Sequence, residues 1–118
     1  MPPKRKQQYR HMAAFILLAL AEGPIHGGAV NSVLTKKMPM YKADTGAVYR
    51  MLQQLEQEGE VESTWDTSSP GPARKIYNLT DIGWEKLDYW KQDVELRLAN
   101  LNYFLTTYSR IKKLPGRK

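Results

Sequence analysis

The chain has 118 residues, 42% of them hydrophobic and none of them cysteine, and carries 18 Lys and Arg against 12 Asp and Glu for a formal net charge of +6. This length suits one compact domain with room for one extra helix and excludes a second full domain. Without cysteine there is no disulfide framework, thiolate metal site or Cys nucleophile, which fits a reducing cytoplasm, and the two histidines, His11 and His26, cannot build a metal cluster alone.

The distribution of charge says more than its sum. Nine of the 18 cations lie at the ends, in Lys4, Arg5, Lys6, Arg10, Arg110, Lys112, Lys113, Arg117 and Lys118, so residues 11–109 hold nine cations against twelve acids. Within that acidic body Lys36, Lys37, Lys42, Arg50, Arg74 and Lys75 still cluster along one stretch of sequence. A basic isoelectric point alone is equally compatible with nucleic acid, membrane attachment or simple solubility; the local cluster is the stronger pointer.

Residues 1–8 read as a basic arm, with Lys6, Tyr9 and Arg10 as candidate contacts along a duplex and a basic tail without specific contacts as the alternative. Lys4 to Lys6, the apolar run Met12 to Ala21 and Ala19-Leu20-Ala21 have the outline of a secretory signal. A retained helix over Tyr9 to Ala21 is the preferred reading. It is apolar around most of its circumference and so serves the core, and ten apolar residues are too few to span a membrane. Cytoplasmic localisation without membrane insertion is expected.

Glu22-Gly23-Pro24 ends this helix, and a second runs from about His26 to Lys37 with Val30, Val33 and Leu34 facing inward. His26, beside Gly27-Gly28 at a helix start, reads as a packing or capping residue rather than a ligand or base. Pro39 breaks the second helix, Asp44 or Thr45 can cap a third, and Gly59 stops that one after Glu58. In the third helix Val48, Leu52 and Leu55 step along one face, which leaves Thr45, Tyr49, Arg50 and Gln53 on the other. Arg50 and Gln53 best suit base edges, Thr45 and Tyr49 suit phosphate as well as they suit base edges, and a plain solvated surface is the bland alternative.

Val61, Ser63 and Trp65 alternate with polar residues, as do Tyr77 and Leu79, which predicts two half-buried strands joined by a solvated loop over Asp66 to Ala73. Arg74 and Lys75 leave that loop as candidate backbone contacts, with merely solvated cations as the alternative, and Lys42 ahead of the third helix is a further DNA-binding candidate. The order helix, helix, helix, hairpin is that of a winged helix-turn-helix spanning residues 9–80.

Thr80 or Asp81 can cap a last helix over residues 81–111, followed by a basic tail at 112–118. Seven-residue spacing places Leu87, Val94, Leu101 and Tyr108 on one row and Trp90, Arg97, Phe104 and Ile111 on the next, widened by Leu98 and Leu105. Such a helix is on the order of 40 Å long, more than the small body can cover, so a second copy of the chain is the expected partner. Trp84 and Trp90 could line a pocket for an apolar or aromatic effector, although as core or seam residues they need no ligand. The sequence has no phosphate-cradling glycine loop of the common patterns, no HExxH and no carboxylate pair outside solvated helix faces, so neither catalysis nor a cofactor is expected.

Five segments together carry a family resemblance: Ile16 to Leu20, Glu22-Gly23-Pro24-Ile25-His26-Gly27, Val48-Tyr49-Arg50-Met51-Leu52, Leu55 to Gly59, and Ala73 to Gly83. In these the chain resembles the PadR family of bacterial transcriptional regulators, and Val48-Tyr49-Arg50, Trp65-Asp66-Thr67 and Gly71-Pro72-Ala73 look closest to its polyhydroxybutyrate-responsive repressors. The resemblance implies a winged helix-turn-helix dimer, paired by its C-terminal helix, that represses nearby genes and releases DNA on binding an inducer. It places Tyr49 and its helical neighbours at DNA and Arg74-Lys75 in the wing. Gly28 departs from a tyrosine frequent in the family and Arg50 from a frequent proline. A mainly helical fold with one small hairpin, acting as a ligand-responsive repressor on a palindromic operator, is therefore expected. The alternative is a winged-helix module that docks on a protein or storage-granule surface.

Overall fold

The computed structural model describes residues 11–38 and 44–116. In chain order the elements are α1 (Met12–Ala21), β1 (Ile25–His26), α2 (Gly27–Lys37), α3 (Thr45–Gln57), β2 (Val61–Asp66), β3 (Arg74–Leu79) and α4 (Asp81–Lys112). They fall into two units, residues 1–87 and 88–118, the second made of the remainder of α4 and the chain end.

The core of the first unit forms where the apolar stripes of three helices meet one face of the sheet. Ile16, Leu17 and Leu20 of α1, Val30 and Leu34 of α2, Val48, Leu52 and Leu55 of α3, and Val61 and Tyr77 of the strands are all buried. Val33, expected in the inward stripe of α2, is only half-buried, because Val30 and Leu34 alone occupy the centre of the contact. Helix α1 follows its apolar circumference into the core on most sides, leaving Leu18 exposed.

The helix-turn-helix ends are fixed by local hydrogen bonding. Asp44 caps α3 by accepting from the Ala47 N–H. At the other end Gly59 takes a φ of +78°, and Glu60 N–H donates to the Leu55 carbonyl while Gly59 N–H donates to that of Glu56. These two hydrogen bonds close the helix in a way that favours glycine.

The sheet has three antiparallel strands in the order β1-β3-β2, with Ile25 opposite Tyr77 and Val61 opposite Leu79. Strand β1 is a departure from the expected helix start at His26: two residues of extended chain pair with β3 before α2 begins at Gly27. The pairing satisfies backbone groups that a helix beginning one residue earlier would leave open.

Thr80 starts α4. Its Oγ1 accepts from Gly83 N–H at 3.1 Å and donates to the Gly59 carbonyl at 2.6 Å, so one hydroxyl ties the last helix to the end of α3. Gly83 is buried here, and a Cβ at that position would collide with the Glu60 carbonyl oxygen and the Leu79 side chain.

In the second unit the helix is held by i,i+4 pairs, Lys91 with Glu95 at 2.9 Å and Asp93 with Arg97 at 3.0 Å, and by the stacked rings of Phe104 and Tyr108. Val94, Leu98, Leu101, Phe104, Leu105 and Tyr108 of the expected seam are all exposed. A second apolar row, Tyr89, Leu96 and Tyr103, also repeats every seven positions and was not read from the sequence; its last two members are 70% and 72% exposed. Among the described residues no helix is long and apolar enough to cross a membrane.

Candidate nucleic-acid interface

Thr45, Tyr49, Arg50 and Gln53 stand exposed on α3, opposite the buried stripe of Val48, Leu52 and Leu55. The same four-and-three spacing that buries the apolar side chains therefore presents these four together.

The hairpin supplies the facing elements. Arg74 is exposed at the start of β3 and Lys75 is half-buried beside it. Lys75 Nζ lies 3.9 Å from Glu56 Oε1 on α3 and 5.6 Å from the centre of the Trp65 ring on β2. Glu56 in turn accepts from Ser63 Oγ at 2.6 Å. One acid on the recognition-type helix thus positions the hairpin cation and anchors β2.

Between α3 and the hairpin runs an open groove of about 610 Å³, bordered by Tyr49 and Gln53 from α3 and by Trp65, Arg74 and Lys75 from the strands. Gly27 and Gly28, from the start of α2, complete it. At Gly27 a Cβ would come within 3.0 Å of the Tyr77 ring and 3.2 Å of the Tyr49 ring; at Gly28 it would come within 3.1 Å of Tyr49 Oη. The missing side chains let the two tyrosines and the α2 backbone approach. Tyr77 is buried, and burial, reinforced by Glu56 and then Tyr49, pushes its phenol above the ordinary value.

His26 does not cap α2, although it precedes the helix. Its Nε2 pairs instead with Asp66 Oδ2 at 2.9 Å, while Asp66 Oδ1 accepts from Ser68 N–H at 3.0 Å and Ser68 Oγ at 2.6 Å. These bonds, those to Ser68 foremost and that to His26 after them, hold the Asp66 carboxyl well below the usual carboxylate range.

Of the residues expected at the interface, Thr45, Tyr49, Arg50, Gln53, Arg74 and Lys75 occur on α3 and the hairpin, and all but Thr45 and Arg50 border the groove. Lys6, Tyr9, Arg10 and Lys42 lie outside the described residues. Trp65 corrects the expectation of a half-buried strand residue, being 64% exposed on the groove rather than packed in the core. Strand alternation puts it on the same face as Val61, but the hairpin extends past the helices, so only the near end of that face is covered. Of the proposed effector residues, Trp84 is exposed in the first unit and Trp90 is half-buried in the second, edge to face with Tyr89.

Three helices with a capped third, followed by a hairpin whose cations border the exposed face of that helix, define a winged helix-turn-helix module. Residues 16–89 match the transcriptional regulator PadR-like family. The chain belongs to this family of transcriptional regulators. Among solved structures it is similar to a PadR-like transcriptional regulator from Bacillus cereus, at 28% identity and a TM-score of 0.72 over 84% of this chain and 96% of that one. It is also similar in fold to a PadR family transcription regulator from Clostridium difficile, at 24% identity and a TM-score of 0.71 over 80% and 98% of the two chains. A third similar structure is Bacillus subtilis PadR in complex with operator DNA, at 25% identity and a TM-score of 0.64 over 70% of this chain and 47% of that one. Comparison with curated proteins returns no match.

Proposed function

We propose that the chain is a sequence-specific, double-stranded-DNA-binding repressor that acts as a cytoplasmic homodimer on a palindromic operator and responds to a small effector. The observation that carries this reading is the convergence of Tyr49, Gln53, Arg74 and Lys75 on one groove, with Arg50 exposed beside them. Donors on a helix narrow enough for the major groove, flanked by cations on a hairpin, match what base edges and neighbouring phosphates require. The operator-bound Bacillus subtilis PadR supports the same partner for this chain.

Arg50 and Gln53 are assigned to base edges, and Thr45, Tyr49, Arg74 and Lys75 to the backbone. Lys6, Tyr9, Arg10 and Lys42 are proposed as further backbone contacts. Pairing of two copies rests on the exposed row of Val94, Leu98, Leu101, Phe104, Leu105 and Tyr108, joined by Leu87 and Trp90, since so much apolar surface on one helix calls for a partner. A two-fold dimer reads a sequence with matching two-fold symmetry. The effector response is assigned to Trp84 and Trp90, whose indoles offer apolar stacking surface.

Selection of binding sites from random duplexes, followed by anisotropy titrations against the selected site and a scrambled one, tests the reading. A palindromic selected site bound more tightly than its scramble is expected. Equal affinity for both at every salt concentration would remove sequence reading.

A further inference from the structure

Trp65 is the feature of the groove that the assignments above leave unused. An indole 64% exposed on a strand, with a lysine ammonium 5.6 Å from its ring centre, is a large apolar surface held at the edge of a cationic groove. Val61 and Tyr77 already fill the covered end of that sheet face without it.

Adjacent major and minor grooves of a duplex are separated by one sugar–phosphate strand. If α3 lies in the major groove and the hairpin reaches the neighbouring minor groove, that strand has to pass between them. The 610 Å³ groove lies between those two elements, and its chemistry matches a strand rather than a base edge. Arg74 and Lys75 answer phosphate charge, the Tyr49 hydroxyl can donate to a phosphate oxygen, and the Trp65 indole offers an apolar plate to a deoxyribose. At Gly28 the absent Cβ leaves Tyr49 Oη reachable from that side. Lys75 is not fully committed elsewhere, because its contact with Glu56 is long, at 3.9 Å, and Glu56 keeps Ser63 as a second partner.

We propose that this groove seats one sugar–phosphate strand of duplex DNA, with Trp65 packed on a deoxyribose and Tyr49, Arg74 and Lys75 on the flanking phosphates. The proposal rests on the DNA-binding reading and adds Trp65 to it as a contact that positions the duplex without reading its sequence. Loss of the indole therefore weakens selected and scrambled duplexes alike, whereas loss of a base-reading side chain removes the difference between them.

The test uses the full-length chain on its selected duplex. Trp65→Ala is expected to weaken binding roughly tenfold on both selected and scrambled DNA, the scale of uncovering most of one aromatic side chain. Hydroxyl-radical footprinting of the complex should then lose protection of deoxyribose on one strand between the major- and minor-groove contacts, with purine-methylation interference unchanged. In the wild-type chain labelled with fluorotryptophan, the fluorine signal absent from Trp65→Phe should lose its solvent-isotope shift when duplex is added. Wild-type affinity and sugar protection in Trp65→Ala, or a Trp65 signal that stays fully solvent-sensitive in the bound complex, would overturn the proposal while leaving DNA binding intact. Absence of any protection by the wild-type chain would instead reject the DNA-binding reading, and the strand seat with it.

Discussion

His26 and Asp66 lie 40 positions apart in sequence and meet at 2.9 Å, joining the start of α2 to the outer end of β2. The loop end of the wing is thereby tied to the helix-turn-helix by a side-chain contact as well as by the sheet. The Asp66 carboxyl is held below its ordinary value of 3.8, so the charged form is the one that the folded state favours. Its contribution to stability is complete above 3.8 and is lost as pH falls below that value toward the folded one. Asp66→Asn should therefore melt at a lower temperature than the parent near neutral pH, and the gap should close on acidification. Equal melting temperatures at neutral pH would show that the carboxylate adds nothing. Loss of the same tie should also weaken duplex binding, most at the wing.

Gly83 invites a different substitution test. In an ordinary helix interior Gly→Ala stabilises by about 1 kcal/mol. Here the new methyl would meet the Glu60 carbonyl, a backbone atom that is fixed because Thr80 N–H donates to it at 3.2 Å. The clash reverses the sign, and Gly83→Ala should lose about 1 to 3 kcal/mol, read as a lower urea midpoint at unchanged slope. A raised midpoint would mean that α4 can lift away from the turn at Glu60 without cost.

Much of this fold is legible in the sequence because it is local. Val48, Leu52 and Leu55 repeat with the helix period, Gly59 and Asp44 mark the ends of α3, and the alternation from Val61 finds the hairpin. What was missed depends on contacts distant in sequence. The β1 strand is two residues long and exists only because β3 is there to pair with it, so no periodicity could announce it. The His26–Asp66 tie is equally silent. Trp65 was misread because alternation gives the face of a strand but not how far along it the helices reach. Of the candidate site, the exposed face of α3 was readable and the groove was not, since Gly27 and Gly28 shape it from an element that the sequence assigned only to packing.

Glu60 sits buried at 4% exposure between the end of α3 and the start of β2, and among the described residues its Oε1 has no hydrogen-bond partner. Burial raises its carboxyl above the ordinary value of 4.5, an effect that Lys86 opposes and Glu58 reinforces. A raised folded value means that the charged form costs stability, and that the cost fades as pH drops through the folded value toward 4.5. Glu60→Gln keeps the shape and removes the charge, so it should raise stability by about 1 kcal/mol at neutral pH and by progressively less in acid. Thermal melts across that range check the sign; a destabilised glutamine variant at neutral pH would show that Lys86 fully compensates the buried charge.

Base reading and backbone binding separate through salt. Arg50→Ala should cost about 1 to 3 kcal/mol on the selected duplex, leave scrambled DNA little changed and so compress the ratio between them. Lys75→Ala should weaken both duplexes and flatten the dependence of log affinity on log salt by about one contact. Anisotropy titrations at several salt concentrations distinguish the two patterns. If Lys75→Ala changed the ratio and Arg50→Ala the slope, the assigned roles would be reversed.

Dimerisation is separable from DNA contact. Leu101 is 62% exposed in the middle of the row that runs from Val94 to Tyr108, and the stacked Phe104 and Tyr108 rings extend the apolar surface on its C-terminal side. In a two-fold pair such a side chain lies against the partner helix, where a carboxylate would be desolvated without a counter-ion. Leu101→Asp should then sediment as a monomer while keeping its helical content, because in the isolated chain the position is solvated. Its affinity for a single half-site should persist, and its affinity for the full palindrome should fall toward that of the half-site as the advantage of two linked modules is lost. An unchanged sedimenting mass would move the interface elsewhere on α4, and the second apolar row of Tyr89, Leu96 and Tyr103 would be the next face to substitute.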